Sequence, residues 1–358
     1  MSEKKNTLLF TLEFPPRIGG VSRYYEKMYR HMNDLLVLTV GKGEDERVTR
    51  RSLLLPHWLM GIFYLWREVK KNNINTVIIG NILPLGTVAM FLAKIIKFDY
   101  VVILHGLDFS LALDVPRKRK LTEKILKNAK KIIAANSYVA RQAAKIVNKS
   151  KVAVVNPGVD YHVMSNDNLI EKLRNDYELH GKKVMLQVGR LIKRKGYDMV
   201  IEAMPIALAK CPDLIYVIIG KGPEKNNLAT MAKNIRRDVI IIDDADDQEV
   251  QAWFELCHLF IMPARNIDGD YEGFGIVYLE ANAHGKPVIA GKSGGVRDAV
   301  KDGLNGLLVN PESAEEISDA IIKLYKDEEF AQKLGEQGRQ RIKEFSWRKQ
   351  VEKIENVL

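Results

Sequence analysis

The sequence predicts an α/β protein made of two doubly wound, Rossmann-like domains with a cleft between them. Short apolar runs of strand-forming residues alternate with helical patterns along the whole chain, which is typical of parallel strands joined by crossover helices. The runs are nearly all apolar, as expected of strands that are covered on both faces. The length of 358 residues is long for one hydrophobic core and fits two.

Six strands are predicted in each half of the chain. In the first half they are Thr7–Leu12, Leu35–Val40, Thr76–Gly80, Asp99–Leu104, Lys131–Ala135 and Val152–Val155. In the second half they are Lys183–Val188, Leu214–Gly220, Asp238–Ile242, Leu259–Met262, Pro287–Ala290 and Gly306–Val309. The equal numbers indicate two domains of similar build.

The domain boundary is predicted just after the turn-rich stretch Asn156–Asp160. We therefore assign residues 1–165 to an N-terminal domain and residues 166–340 to a C-terminal domain. Residues 341–358 are assigned to a C-terminal helix, with Trp347 near its start. In folds of this kind, ligands bind outside the carboxyl ends of the strands, so we expect the site in the cleft.

Cysteine usage and the N-terminus predict a cytoplasmic protein. Cys211 and Cys257 are the only two cysteines, which suits a reducing compartment and forms neither a disulfide framework nor a zinc site. The first residues fit no signal peptide. No apolar run reaches the roughly 18–20 residues that a spanning helix needs.

The positive charge of the chain is concentrated in its first half. Residues 1–165 carry 27 Lys and Arg against 13 Asp and Glu, whereas residues 166–358 carry 28 against 32. This asymmetry is consistent with an anionic membrane surface as a partner and equally with a lysine-rich solvated surface. The apolar stretch Leu53–Trp66, flanked by basic residues, fits a helix in the membrane interface or a buried crossover helix. The basic run Arg117–Lys120 fits a phospholipid-facing patch or a solvated helix face.

The stretch from Glu272 to Glu280 has the clearest binding chemistry. Its two carboxylates lie eight positions apart, on either side of a Gly-x-Gly turn and the start of an apolar helix. Glycines before a helix let backbone N–H groups approach a ligand, and a helix start favours an anion. The stretch therefore predicts one wall of a phosphate-and-sugar pocket.

Two cations are predicted to form a second wall. Arg190 and Lys195 lie five positions apart across the turn that follows a predicted strand, so both side chains can converge on one anion. Gly196 lets the next helix begin close by, and Gly222 lies in a tight turn at the expected rim of the cleft. The alternative is a basic turn on the surface.

The first half supplies two further candidates. Gly19 and Gly20 form a turn between a strand and a helix that could lie flat against a bound group, although such turns are common. They do not form the Gly-x-Gly-x-x-Gly fingerprint, which argues against a dehydrogenase. His105 follows a predicted strand, where it could hydrogen-bond a sugar hydroxyl or carry a proton near neutral pH. A lone histidine is also often structural.

Taken together, these motifs resemble the retaining glycosyltransferases of family 4, which have the GT-B fold. The resemblance covers nearly the whole chain and is densest from 184 to 310, where Val188-Gly189-Arg190 with Lys195-Gly196, the Glu272–Glu280 element and Gly285–Ala290 follow in order. Gly294-Gly295, Gly303–Val309, Pro15–Gly20 and Asn156–Asp160 also match. The spacing of the two glutamates is specific in this context, whereas each other motif is weak by itself.

The resemblance implies a role for each candidate residue. Arg190 and Lys195 would bind the donor diphosphate, Glu280 the ribose hydroxyls, and Glu272 would lie beside the donor sugar and the reacting centre. The backbone N–H groups of Phe274, Gly275 and Ile276 would hold phosphate and sugar oxygens, and Gly19 and Gly20 would close over the phosphates. His105 would contact the sugar or the acceptor. The first domain would be the acceptor side, the second would bind the nucleotide sugar, and the final helix would cross back to the first.

The expected activity is transfer of a hexose, such as mannose or glucose, from a UDP- or GDP-sugar to a hydroxyl acceptor. The stretch Asn266–Tyr271 is most similar to the mannosyl- and lipid-acceptor branches, which predicts a lipid-linked or cell-envelope acceptor. Two cations and a helix start can stabilise the leaving diphosphate, so no essential metal is expected. No cofactor and no nucleic-acid partner is expected either. The acidic run from Asp243 to Asp247 is interpreted as a solvated turn. Two other classes remain open, a sugar-nucleotide 2-epimerase of the same fold and a non-catalytic nucleotide-sugar-binding protein.

Overall fold

A computed structural model of the protein describes residues 6–40, 47–51, 57–159, 166–235 and 238–358. The chain divides into two compact units, one formed by Met1–Gly158 with Trp347–Leu358 and the other by Val159–Ser346. Each unit is built on one sheet of parallel strands, as the sequence predicts. No helix within the described ranges is long and apolar enough to cross a membrane.

The described residues of the first unit form seven strands. They are β1 (Thr7–Phe10), β2 (Leu35–Val40), β3 (Val48–Arg51), β4 (Thr76–Ile79), β5 (Asp99–Leu104), β6 (Lys131–Ala134) and β7 (Val152–Val154). Their order across the sheet is β3-β2-β1-β4-β5-β6-β7. Every residue of β1 and β4 is buried, which explains why these central strands consist almost entirely of apolar side chains.

Six α-helices lie among the described residues of the first unit before its boundary at Gly158. They are α1 (Gly20–His31), α2 (His57–Lys71), α3 (Leu85–Leu92), α4 (Leu107–Asp114), α5 (Pro116–Asn128) and α6 (Ser137–Ala143). Helices α2, α3 and α5 pack in sequence against one another, and α4 packs against α5. The start of α6 is set by Asn136, whose side chain accepts a hydrogen bond from the backbone N–H of Val139.

Six strands are found in the part of the second unit that the structure describes. They are β8 (Lys183–Val188), β9 (Leu214–Ile219), β10 (Val239–Ile242), β11 (Leu259–Met262), β12 (Val288–Gly291) and β13 (Gly306–Val309). Their order is β10-β9-β8-β11-β12-β13. The strand order reverses at β8 and β11, so the segments that follow these two strands leave the same edge of the sheet side by side.

Within the described ranges, eight α-helices belong to the second unit, and the last helix belongs to the first. The eight are α7 (Asp167–Asp176), α8 (Tyr197–Leu208), α9 (Lys225–Met231), α10 (Asp247–Leu256), α11 (Ile276–Ala283), α12 (Val296–Ala299), α13 (Ala314–Lys326) and α14 (Glu328–Arg341). The last helix, α15 (Trp347–Val357), packs on α1 and β6. Its Trp347 lies over Gly158, where a β-carbon would be 2.4 Å from the indole.

One sequence prediction differs from the observed fold. The predicted six strands of the first half omit β3, which pairs only with β2 and lies at the edge of the sheet. Its sequence Val-Thr-Arg-Arg lacks the apolar run by which the other strands are found. The first residues of the predicted helical stretch Leu53–Trp66 lie outside the described residues. Asp160 of the predicted boundary turn lies outside them as well. Within α2, Leu65 and Val69 are buried whereas Phe63 and Trp66 are exposed, so the described helix is not buried all round.

Candidate active site

The centre of the candidate site is the carboxylate of Glu272, which lies between β11 and α11. This buried side chain accepts hydrogen bonds on one oxygen, Oε2, from Arg194 Nη1 at 2.8 Å and from Lys195 Nζ at 2.6 Å. Arg194 also lies against Asp270, with 3.0 Å from its Nε to Asp270 Oδ1. Arg194 therefore bridges two carboxylates, while Glu272 Oε1 makes no hydrogen bond within the described residues.

The turn between β8 and α8 positions Arg194 and Lys195. Lys193–Lys195 form a single turn of 3₁₀ helix that ends at Gly196, whose φ is 74°. A β-carbon on Gly196 would lie 2.3 Å from the carbonyl oxygen of Pro263, so the absence of a side chain lets this turn contact the end of β11. Gln187 Nε2 donates to the carbonyl of Lys195 at 2.8 Å and fixes the turn further.

The charge state of Glu272 follows from its neighbours. Burial alone would raise the pKa of the carboxyl, but the positive charges of Lys195 and Arg194 outweigh it and hold the pKa below its usual value. Glu272 is therefore ionised at neutral pH. The same pairing occupies Lys195, so an incoming anion would compete with Glu272 for its ammonium group.

Arg190 lies apart from this cluster. Its side chain is exposed and makes no hydrogen bond or ion pair with any described residue. The predicted convergence of Arg190 and Lys195 on an anion therefore stays a prediction. What the sequence analysis missed is Arg194. The available signal was the basic run Lys193–Lys195, but a run does not tell which of its side chains turns inward.

The start of α11 presents free backbone donors beside Glu272. Gly275 precedes the helix with a φ of 81°, and a β-carbon there would lie 2.3 Å from the ring of Tyr278 and 3.5 Å from Glu272 Cγ. The backbone N–H groups of Phe274, Gly275 and Ile276 donate to no acceptor among the described residues. This arrangement suits an anion or a sugar oxygen. Glu280 is half-buried in the second turn of the same helix, as the sequence predicts.

One glycine turn, Gly294-Gly295, packs directly against the backbone of Glu272. The N–H of Gly295 donates to the carbonyl of Glu272 at 2.9 Å, and a β-carbon on Gly294 would lie 2.4 Å from the same oxygen. Gly222 packs in the same way, since its β-carbon would lie 2.2 Å from the carbonyl of Leu191. Packing thus explains the glycine at 222 without a ligand, and its predicted contact with the donor stays a prediction.

In the first unit, Gly19 immediately precedes α1 and Gly20 is the first residue of that helix, and both are exposed. No heavy atom lies within 4 Å of the position that a β-carbon would take at either glycine. Packing within the protein therefore does not require glycine there. The predicted reason for glycine at these two positions is access for a bound group, and it stays a prediction.

His105 follows β5, where its imidazole lies edge-on against Tyr24 and Tyr25, with centroid distances of 4.9 and 5.2 Å. Burial lowers the pKa of His105 to about 4, so the ring is neutral at pH 7. This state opposes the suggested role as a proton carrier near neutral pH. It favours the other suggestion, a hydrogen bond to a hydroxyl.

The acidic run after β10 is accounted for by local contacts. Asp246 caps α10 by accepting hydrogen bonds from the N–H groups of Gln248 and Glu249, at 2.8 and 2.9 Å. Asp243 forms an ion pair with Lys225. Across the described part of the chain, no group of three or more His, Cys, Asp or Glu side chains could hold a metal ion.

Comparison with known proteins gives this geometry a class. The first unit matches the model of "Glycosyltransferase Family 4" over residues 18–163, and the second matches that of "Glycosyl transferases group 1" over residues 170–341. HepE of Anabaena, solved in complex with UDP, superposes with a TM-score of 0.81 at 18% identity over 99% of both chains. Sucrose-phosphate synthase of Thermosynechococcus elongatus superposes with a TM-score of 0.77 at 19% identity over 99% of this chain and 98% of its own.

The relatives in sequence are glycosyltransferases as well. The GDP-mannose-dependent alpha-(1-6)-phosphatidylinositol monomannoside mannosyltransferase of Mycolicibacterium smegmatis is 29% identical, over 98% of this chain and 97% of its own. The GDP-mannose-dependent monoacylated alpha-(1-6)-phosphatidylinositol monomannoside mannosyltransferase of Corynebacterium glutamicum is 28% identical, over 100% and 99%. The fold and these likenesses define a GT-B glycosyltransferase that takes its sugar from a nucleotide sugar. The chain belongs to glycosyltransferase family 4.

Proposed function

We propose that the protein transfers a mannosyl group from GDP-mannose to a hydroxyl of a lipid-linked acceptor, with retention of configuration. The single observation that carries the transfer chemistry is the cluster of Glu272, Lys195 and Arg194 beside the free backbone donors that begin α11. The choice of GDP-mannose, and of a lipid acceptor, rests on the two relatives that share nearly the full length of this chain.

The donor diphosphate is proposed to bind at the start of α11. The N–H groups of Phe274, Gly275 and Ile276, at the start of α11, would donate hydrogen bonds to the phosphates. Lys195 and the exposed Arg190 would supply positive charge. Glu280, further along α11, is proposed to bind the ribose hydroxyls. Glu272 keeps its unoccupied Oε1 for a hydroxyl of the sugar.

Transfer is proposed to occur on one face of the sugar. The bond from C1 to the phosphate oxygen breaks, and a bond from C1 to the acceptor oxygen forms on the same side. The proton of the acceptor hydroxyl passes to the departing phosphate. Lys195, Arg190 and the start of α11 stabilise the growing charge of the diphosphate by preorganised electrostatics, so we propose that the reaction requires no metal.

A ligand panel and a transfer assay test this function. GDP-mannose should raise the thermal midpoint more than UDP-glucose or ADP-glucose does, in the presence of EDTA as well as of Mg²⁺. GDP-mannose with phosphatidylinositol mannoside vesicles should then yield an α-mannosylated lipid, and Glu272→Gln should abolish the product. A β-linked product would contradict retention. Epimerised sugar formed without acceptor would favour the epimerase, and binding without turnover the non-catalytic protein.

We also propose that the first unit docks on the cytoplasmic face of an anionic membrane, where such an acceptor would lie. Exposed apolar side chains occur on α2, at Phe63 and Trp66, and on α4, at Leu107 and Leu111, the last 56% exposed. The exposed basic run Arg117–Lys120 opens α5, which packs against α4. Apolar and basic groups on neighbouring helices suit a surface of anionic lipid headgroups.

Vesicle co-sedimentation tests the docking. Vesicles containing phosphatidylglycerol should bind the protein at low salt and release it as the salt concentration rises, and neutral vesicles should not bind it. Glu in place of Arg117, Lys118 and Lys120 should abolish binding while leaving transfer to a water-soluble acceptor intact. Glu in place of the exposed Lys210, Lys301 and Lys333 of the second unit is the matched control, because it reverses the same number of charges. Equal loss of binding in both variants would contradict docking through α5.

A further inference from the structure

We propose that Tyr25 is a positioning residue that fixes the tautomer of His105, so that its Nδ1 presents a lone pair to a substrate hydroxyl. The tautomer of His105 follows from contacts within the first unit alone, whereas the assignment of a hydroxyl as its ligand rests on the proposed glycosyl transfer.

The tautomer follows from counting the protons around Tyr25. The phenolic oxygen of Tyr25 lies 2.8 Å from the carbonyl oxygen of Gly80 and 2.8 Å from His105 Nε2. A carbonyl only accepts, and a phenol carries one proton, so the phenol donates to Gly80. The hydrogen bond to His105 must then be donated by Nε2–H. In a neutral imidazole this leaves Nδ1 without a proton.

The opposite arrangement is disfavoured. If the phenol donated to His105, the oxygen of Tyr25 would face the carbonyl oxygen of Gly80 at 2.8 Å with no proton between them. Burial raises the pKa of Tyr25 well above its ordinary value, so the phenol keeps its proton. Burial also keeps the imidazole neutral, with a pKa of about 4, which excludes a ring that donates from both nitrogens at neutral pH.

The position of Tyr25 depends on Gly80, which follows β4. A β-carbon on Gly80 would lie 2.6 Å from Thr11 Oγ1 and 3.1 Å from the ring of Tyr25. The absence of a side chain therefore lets the phenol reach the carbonyl at the end of the strand. The neighbouring Asp108 is turned to the backbone, where it accepts a hydrogen bond from the N–H of Gly106 at 3.2 Å.

The remaining nitrogen is the one available to a ligand. No described residue forms a hydrogen bond with His105 Nδ1. His105 lies at the carboxyl end of β5, the side of a parallel sheet on which ligands bind. A neutral nitrogen with a lone pair accepts a hydrogen bond from a hydroxyl and does not bind a phosphate oxygen. The geometry therefore assigns His105 to a sugar or acceptor hydroxyl and not to the diphosphate.

Long-range ¹H–¹⁵N NMR of protein labelled at its histidines reads the tautomer directly, without any substrate. The signals of His105 are assigned by their loss in His105→Gln. We expect a protonated Nε2 and an unprotonated Nδ1 from pH 5.5 to pH 8. In Tyr25→Phe we expect a mixture of both tautomers of a ring that stays neutral, because the imidazole remains buried. A wild-type ring with its proton on Nδ1 would overturn the inference even if the variant fails to fold.

Tyr24→Phe is the matched control. The Tyr24 ring contacts the same imidazole, but its buried hydroxyl has no hydrogen-bond partner in the described structure. Tyr24→Phe should therefore keep the wild-type tautomer, and an identical change in both variants would overturn a specific role of Tyr25. In the transfer assay, Tyr25→Phe should lower kcat/KM about tenfold, as expected for one hydrogen bond. A wild-type tautomer as expected, combined with no transfer activity, would contradict the proposed function and leave the role of Tyr25 intact.

Discussion

Lys195 Nζ lies 2.6 Å from Glu272 Oε2, so the most buried cation of the candidate site is paired with its most buried carboxylate. Arg194 shares the same oxygen and also contacts Asp270. A bound diphosphate could therefore draw Lys195 away while Arg194 continues to neutralise Glu272. Arg190 has no such partner among the described residues, so the binding of the donor that we propose for it would break no ion pair.

Arg190→Ala tests the role of this exposed cation. If its guanidinium stabilises the departing diphosphate, the substitution should lower kcat at saturating donor by about 10²–10³. Lys193→Ala is the matched control, because Lys193 is exposed in the same turn and makes no side-chain contact with the described residues. Steady-state kinetics with GDP-mannose decide the matter, and near-wild-type turnover of Arg190→Ala would refute the assignment.

Arg194→Gln should change the pH dependence of transfer. Lys195 and Arg194 together hold the pKa of Glu272 below its usual value, so removal of one cation should raise that pKa. Glu272 then becomes protonated at a higher pH, and the acidic limb of the kcat/KM profile should move upward. Lys183→Gln, which breaks the separate ion pair with Glu328, should leave that limb in place. An unchanged limb in Arg194→Gln would show that Glu272 is not the group that titrates.

The fold was largely predictable from the sequence because its strands are buried on both faces. Such strands consist of apolar runs, and five of the twelve predicted strands, such as Leu35–Val40, match the observed bounds at both ends. The edge strand β3 was not predicted, because it pairs with one neighbouring strand only and needs no apolar run.

The site was predictable only in part, because its contacts join distant positions. The spacing of Glu272 and Glu280 marks the start of α11 within one segment of sequence. The inward turn of Arg194 depends on the packing of Gly196 against Pro263, which no local pattern reveals. The hydrogen bond between Tyr25 and His105 likewise joins residues 80 positions apart.

Glu272→Gln should destabilise the protein in a pH-dependent way. Loss of this carboxylate leaves the buried Lys195 without a partner and Arg194 with Asp270 alone, which typically costs about 3 kcal/mol of unfolding free energy at pH 7. The folded pKa of Glu272 is depressed, so its stabilisation is complete above the unfolded value of about 4.3 and disappears as the pH falls through the folded pKa. Urea unfolding at several pH values should show a constant deficit above about pH 5.5 that shrinks under acid conditions. The exposed Glu202→Gln should show neither effect, and a deficit that is independent of pH would contradict the pairing.

Gly196→Ala should destabilise the protein far more than a left-handed conformation alone explains. Gly196 and Gly303 have φ values of 74° and 70°, but only Gly196 has an atom within 4 Å of an added β-carbon, the carbonyl of Pro263 at 2.3 Å. Gly303→Ala should therefore cost about 1 kcal/mol, the strain of the backbone. Gly196→Ala should cost roughly 1–3 kcal/mol more, because the turn must move away from β11. Since that turn carries Lys195 and Arg194, the same variant should weaken donor binding, measured by calorimetry, whereas Gly303→Ala should not. Equal stabilities of the two variants would mean that the turn is not held against the end of β11.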